Sequence, residues 1–273
     1  MIRIISLAVG AFFSLALLLA FGTGLVNYIS EPPQPTAEKL FVKHEPKALK
    51  LASDGPFGHF DEAQLQRGFA VYQGVCASCH AIKQVAYRDL EKLGYNEAEV
   101  KAIAAKATMS AKDPLSGEVK DRPGLPADKF PPVVYAGVGN PPDLSLITKA
   151  RHGGAAYVYS LITGYEANQP AALLAKFPDS KTGANMHYNP YFANLNIAMA
   201  PPLGSDDLVT YSDGTKATKD QMAKDVAAFL VWTAEPELEK RHQTGFVWTL
   251  FMIFATVLGY MSYRNIWAEK KGH

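Results

Sequence analysis

The chain's two cysteines stand three positions apart and are followed directly by a histidine, in the stretch VCASCH at residues 75–80. Such residues could form a redox dithiol, hold a metal ion, or attach a haem, for which C-x-x-C-H is a specific signal. In the haem case, Cys76 and Cys79 bond to the two vinyl groups at one edge of the porphyrin, and His80 is the proximal iron ligand. A structural zinc site needs four protein ligands, and the sequence has no second cysteine pair. The motif therefore favours haem c over a thiol–disulfide pair or a Cys/Cys/His/His metal site.

A second axial ligand would have to come from elsewhere in the chain. Between the two apolar ends the methionines are Met109, Met186, Met199 and Met222. Met199 lies in the apolar stretch NIAMAPPL, where two prolines restrict the backbone just after it, although a methionine in such a loop is also a common packing residue. The histidines that could instead give bis-His ligation, at a lower reduction potential, are His44, His59, His152 and His187.

Two amphipathic helices are predicted to position the motif. One begins at Asp61, which forms a capping pair with Gln64, and its apolar face leads through Leu65, Phe69 and Tyr72 to Cys76. The other follows the capping pair Thr218 and Gln221 and ends before Pro236.

The chain between these helices is rich in Pro and Gly. It predicts irregular loops over residues 108–142 and 164–204, a helix at about 97–107, and two short helices within 145–163 that break at Gly153-Gly154. A haem would provide the apolar surface around which such a loop-rich chain can bury a core.

Both ends of the chain are strongly apolar. The run from Ile4 to Phe21 after Arg3 predicts a secretory signal, with an uncleaved anchor as the alternative. The uncharged run from Gly245 to Tyr263 predicts a membrane anchor, with a buried core helix as the alternative, and the basic residues beyond it indicate a cytoplasmic tail. Residues 31–243 would then lie in an oxidising compartment, where a free cysteine pair tends to become a disulfide.

The charge of the chain excludes one class of partner and suggests another. The net charge is only +1, so nothing favours binding to nucleic acid. Residues 201–239 nevertheless contain eight acidic side chains and three lysines. This acidic stretch could steer a basic protein partner, or it could be an ordinary solvated face.

Four stretches together resemble the cytochrome c1 family, the haem subunit of the cytochrome bc1 complex (quinol–cytochrome c reductase). They are FDEAQLQRGFAVYQGVCASCH at 60–80, PPDLSLITKARHGGAAYVYSLITGY at 141–165, IAMAPPL at 197–203, and DGTKATKDQMAKDVAAFLVWTAEPE at 213–237. With the C-terminal apolar run, the resemblance covers most of residues 57–270.

The resemblance implies a mainly α fold, a cytochrome-c-like haem domain with long irregular insertions and one C-terminal transmembrane helix. By this resemblance Met199 is the axial methionine, Arg151 and Tyr157 lie near the haem propionates, and Pro142 lines the haem pocket. The expected layout is a signal or N-terminal hydrophobic segment at 1–24, an extended linker at 25–56, a periplasmic haem domain at 57–240, an anchor at 241–264 and a cytoplasmic tail at 265–273.

The implied function is electron transfer in quinol oxidation, as a redox subunit that is not catalytic on its own. The expected partners are the Rieske iron–sulfur protein as donor, a cytochrome c as acceptor and cytochrome b as neighbour, in a dimeric complex of the bacterial inner membrane. A stand-alone membrane-anchored cytochrome c and a thiol oxidoreductase are the alternatives.

Overall fold

A computed structural model describes residues 2–112, 118–137, 139–268 and 270. The chain divides into two compact units, Met1–Phe41 and Val42–His273. In the first unit, helix α1 (Ile2–Ser30) is followed by extended backbone at 31–36, as the prolines there predict, and by the short helix α2 (Ala37–Phe41).

The second unit is mainly helical, and the predicted fold class is confirmed. Its helices are α3 (Glu62–Val71), α4 (Glu97–Ala105), α5 (Ile147–Ala150), α6 (Gly154–Ile162), α7 (Ala171–Lys176), α8 (Lys219–Ala234) and α9 (Leu238–Trp267). A π-helical turn at Tyr72–Cys76 and 3₁₀ turns at Tyr87–Leu93 and Pro178–Ser180 lie between them. Two small antiparallel pairs complete it, β1 (Thr108–Lys112) with β2 (Val119–Pro123) and β3 (His187–Tyr188) with β4 (Asn196–Ile197).

Helices α3 and α8 pack closely against each other and form the centre of the core. Both begin at the predicted caps, since the side chains of Asp61 and Thr218 accept the backbone N–H groups of the residues three positions on. The helices can approach because of Gly68: a Cβ there would lie 2.1 Å from the carbonyl oxygen of Asp225. Phe69 and Phe229 meet beside this point, with ring centroids 5.6 Å apart, and are fully buried.

Most predicted helices are present, but both predictions of irregular structure are wrong in part. Residues 164–204 contain α7, the 3₁₀ turn at Pro178–Ser180 and the β3–β4 pair. The helices predicted at 97–107 and within 145–163 form as α4, α5 and α6, and Gly153 takes a φ of +83° at the break. Residues 108–142 are not wholly irregular, because β1 and β2 pair in register from Thr108↔Pro123 to Lys112↔Val119. These strands are short and polar, so they carry none of the apolar alternation that predicts a strand.

The first three turns of helix α9 contact the segment at residues 57–60, just before α3. Leu238 is buried, and the carboxylate of Glu239 accepts the backbone N–H of Phe60 at 2.6 Å. His242 Nδ1 lies 3.3 Å from the carbonyl oxygen of Gly58, and the rings of Phe57 and Phe246 meet edge to face at 5.9 Å.

Two helices of the described residues, α1 and α9, are long and apolar enough to cross a membrane. The end of the predicted tail, residue 269 and residues 271–273, lies outside the described residues. The predicted boundaries of signal, linker, domain and anchor stay predictions.

Candidate haem site

The cysteine motif follows a change from α-helix to π-helix. Helix α3 ends at Val71, and in the π-helical turn that follows Ala77 N–H donates to the carbonyl of Tyr72, five residues back. Tyr72 is buried at the start of this turn, and Cys76 at its end is partly buried and packs against the same core. Cys76 and Cys79 are both half-buried, and no disulfide joins them. The apolar face predicted from Leu65 to Cys76 does lie against the core, although its last part is a π-helical turn that the sequence pattern does not indicate.

His80 is oriented for metal binding by a hydrogen bond to the backbone. Its Nδ1 lies 2.8 Å from the carbonyl oxygen of Pro142. A carbonyl oxygen only accepts, so Nδ1 carries the proton and Nε2 keeps its lone pair for a ligated ion. This is the outer-shell arrangement that fixes the ring orientation of metal-binding histidines and raises their basicity.

The segment that carries Pro142 is itself fixed to the segment that follows His80. The carboxylate of Asp143 accepts the backbone N–H of Lys83 and of Ser145, each at 2.9 Å. Leu144 N–H donates to the carbonyl of Ala81 at 2.8 Å. Residues 81–83 and 143–145 therefore form a hydrogen-bonded pair of loops that sets the position of the Pro142 carbonyl.

The Cys76 thiol does not have the electrostatics of a reactive cysteine. Burial, with a smaller contribution from Cys79, raises the pKa of Cys76 to about 12. Reactive cysteines have the opposite property, a pKa lowered by cationic neighbours or a helix N-terminus. A raised pKa disfavours Cys76 as the attacking thiol of an oxidoreductase.

Met199 lies in an irregular segment between β4 and α8. Its side chain is half-buried, and its carbonyl oxygen accepts a hydrogen bond from the hydroxyl of Tyr165 at 3.0 Å. Tyr165 follows α6 and packs its ring edge to face with His187, with centroids 6.4 Å apart. The sequence analysis did not single out Tyr165, although it ends the matched stretch 141–165.

Arg151 and Tyr157 lie together and connect to the Met199 segment. Arg151 is exposed just before α6, and its guanidinium donates to the carbonyl of Ala150 at 3.1 Å. Burial raises the pKa of Tyr157, and the charge of Arg151 opposes that rise. Burial also raises the pKa of Tyr165, with a smaller contribution from Tyr157. Arg151 therefore acts electrostatically on Tyr157, and Tyr157 on Tyr165, whose hydroxyl is hydrogen-bonded to the Met199 carbonyl.

The loop that supports His80 and the segment that carries Met199 approach each other at a glycine. Gly139, three residues before Pro142, has a φ of +94°, and a Cβ built on it would lie 3.5 Å from Cβ of Ala198. The loop that supports His80 is thus next to the residue that precedes Met199. Among the described residues, His80 and Met199 share no hydrogen bond, and each is held by its own support.

The rival ligands are placed differently. His44, His59 and His152 are exposed, whereas His187 is half-buried beside Tyr165. His187 also lines a cavity of about 870 Å³ whose lining residues do not include the cysteines or His80. The candidate site is therefore defined by the geometry around His80, not by this cavity.

Comparison with known proteins agrees with this geometry. The profile of the Cytochrome C1 family matches residues 51–270. Cytochrome c1 of Rhodospirillum rubrum is 42% identical over 238 residues, which cover 80% of this chain and 85% of the relative. Cytochrome c1 1, a mitochondrial haem protein of Arabidopsis thaliana, is 40% identical over 268 residues, with 94% and 83% covered. The Cytochrome b-c1 complex catalytic subunit of Candida albicans is 41% identical over 235 residues, with 82% and 79% covered. The chain belongs to the cytochrome c1 family.

Proposed function

We propose that this protein is the haem c electron-transfer subunit of a cytochrome bc1 complex. Its membership of the cytochrome c1 family supports this, together with the relative named as a subunit of the b-c1 complex. Cys76 and Cys79 would hold the haem covalently, and His80 and Met199 would ligate its iron. Haem c, when bound, supplies one-electron redox chemistry at iron.

The hydrogen bond between His80 and Pro142 is the observation that carries the proposal. It keeps the imidazole from turning, leaves Nε2 free to ligate and increases the basicity of that nitrogen. Arg151 supplies positive charge at the exposed rim, where haem propionates need compensation, and its charge also acts on the Tyr157 hydroxyl.

The protein receives electrons from a Rieske iron–sulfur protein and passes them to a cytochrome c, next to cytochrome b in a dimeric complex. Helix α9 is the single anchor in a bacterial inner membrane, and the haem domain lies in the periplasm. The apolar length of α9 and the similarity to a bacterial cytochrome c1 support this placement.

Purification from membranes tests the assignment as a whole. We expect haem to stay with the denatured polypeptide and to give a pyridine haemochrome spectrum of the c type. We also expect cytochrome b and a Rieske protein to copurify. Haem that is released on denaturation would contradict covalent attachment. A haem protein that purifies alone would instead indicate a stand-alone membrane-anchored cytochrome c.

Replacement of the sixth ligand tests the assignment of Met199. In Met199→Leu we expect loss of the Fe–S charge-transfer band and a fall in reduction potential on the order of 100 mV, within the roughly 0.8 V that axial ligands span. Met186→Leu is the matched control, because Met186 is also a half-buried loop residue. An unchanged band in Met199→Leu, or equal changes in both variants, would exclude Met199 as the ligand.

A further inference from the structure

The segment that carries Met199 has few hydrogen bonds of its own. In the described part of the chain, residues 198–206 make no backbone–backbone hydrogen bond, and Pro201 and Pro202 have no N–H to donate. The nearest backbone supports are the β3–β4 pair before the segment and the bond from Asp207 N–H to the carbonyl of Ala217 after it, at 2.8 Å. A methionine in such a segment needs another constraint to keep its sulfur in one place.

The hydroxyl of Tyr165 supplies a constraint at the Met199 peptide itself, where it donates to the carbonyl at 3.0 Å. The tyrosine lies three residues beyond the end of α6, directly after Gly164. A Cβ at Gly164 would lie 2.4 Å from both the carbonyl of Ser160 and the ring of Tyr191, so the chain turns tightly here. A second tie, from Asn189 Nδ2 to the carbonyl of Leu161 at 2.7 Å, joins the β3 region to the same helix.

We propose that Tyr165 is a positioning residue that holds the Met199 peptide and thereby sets how firmly the thioether stays on the iron. The inference rests on the proposed function, in which Met199 is the sixth ligand. Tyr165 links this segment to the helix that carries Tyr157 and follows Arg151, so the sulfur and the candidate propionate contacts share one support.

The expected size of the effect follows from a single neutral hydrogen bond. Its loss should raise the fraction of protein with Met199 off the iron by about two- to tenfold. An added ligand that competes with methionine gains affinity in proportion to this fraction. The Tyr165 ring itself would remain in Tyr165→Phe, so packing against His187 is retained.

The test uses the full-length haem protein in its complex and free imidazole as the competing ligand. In Tyr165→Phe we expect imidazole to bind the oxidised protein about two- to tenfold more tightly. We also expect the charge-transfer band to be lost at a lower pH, and amide hydrogen exchange to quicken in the adjoining β3–β4 pair. Tyr159→Phe is the matched control: it removes a hydroxyl from the same region of the chain, but one that donates to Asp220 at 2.5 Å.

Two results would overturn the inference. One is wild-type imidazole affinity and exchange in Tyr165→Phe, and the other is an equal change in Tyr159→Phe, which would indicate general loosening of α6. Failure of the proposed function is seen separately, as a charge-transfer band that survives in Met199→Leu. The inference alone fails when Met199→Leu loses the band and Tyr165→Phe behaves like the wild type.

Discussion

At the scale of single residues, Asp143 decides whether His80 stays oriented. Both of its carboxylate oxygens are used, one for the N–H of Lys83 and the other for the N–H of Ser145. An asparagine has only one oxygen, so Asp143→Asn leaves one of these amides without its partner. We expect the free energy of unfolding to fall by about 1–2 kcal/mol at neutral pH.

The same substitution should alter the redox properties, because the Pro142 carbonyl loses its fixed position. A weaker hydrogen bond to Nδ1 makes His80 a poorer donor to oxidised iron, so we expect a higher reduction potential in a redox titration. Asp128→Asn is the control. Asp128 makes similar bonds, to Leu125 N–H and the Arg122 guanidinium, in another part of the chain. An equal rise of potential in both variants would contradict this account.

The contribution of Asp143 to the free energy of unfolding should decrease at low pH. Burial alone would raise its pKa, but the hydrogen bonds from Lys83 and Ser145 outweigh burial and lower the pKa below 3.8. A carboxyl whose pKa is lowered by folding stabilises the protein above its ordinary pKa and loses that contribution as the pH falls through the folded value. The stability difference between wild type and Asp143→Asn should therefore shrink below about pH 4.

At the scale of helices and strands, the packing of α3 against α8 depends on Gly68. A Cβ there would meet a backbone carbonyl and the Cβ of Phe229 at 2.6 Å, so neither neighbour can turn away. Overpacking of this kind costs about 1–3 kcal/mol, and rigid backbone favours the upper end. For Gly68→Ala we expect a net loss of about 2 kcal/mol in denaturant unfolding, after the roughly 1 kcal/mol by which alanine favours a helix.

Gly183→Ala provides the comparison for this experiment. A Cβ at Gly183 would have no neighbour within 4 Å, and its stability should change by about 0.5 kcal/mol or less. A Gly68→Ala protein as stable as the wild type would show that the two helices can move apart without loss.

The elements that the sequence predicts are those with a periodic apolar face and a capping residue. Helices α3 and α8 have both, and the C-x-x-C-H motif locates the candidate site without any structure. The π-helical turn before Cys76 has no sequence signal, because one extra residue per turn leaves composition unchanged. The bond from Tyr165 to Met199 joins residues 34 positions apart through a backbone carbonyl, and no side-chain pattern can indicate such an acceptor.

At the scale of the whole molecule, folding neutralises much of the acidic stretch at 201–239. Arg67 pairs with Asp213 at 2.6 Å and with the buried Asp225 at 3.1 Å. Lys149 and Arg241 pair with Glu235, and Lys92 pairs with Glu237. These four bases come from outside the stretch. Together with the three lysines of the stretch itself, they make seven bases for its eight acids in the folded protein.

This near balance predicts weak electrostatic steering by the stretch. Asp207, at its exposed edge, is the natural site to test. We expect Asp207→Asn to lower the second-order rate of cytochrome c reduction by about twofold or less at low ionic strength, since one exposed charge contributes little. A tenfold loss that disappears at high salt would show that the stretch steers its partner despite the internal pairs.

The contacts that hold α9 fall on Glu239, His242 and Phe246, which are spaced three and four residues apart and so form a single stripe along the helix. Contacts along a single stripe fix the rotation of α9 about its own axis as well as its attachment to the domain. If α9 spans the bilayer, these contacts in its first three turns determine the direction in which the haem domain faces within the membrane plane. One residue inserted just before Glu239 would rotate that stripe by about 100°. The domain would then either face a different neighbour or lose its hold on the anchor.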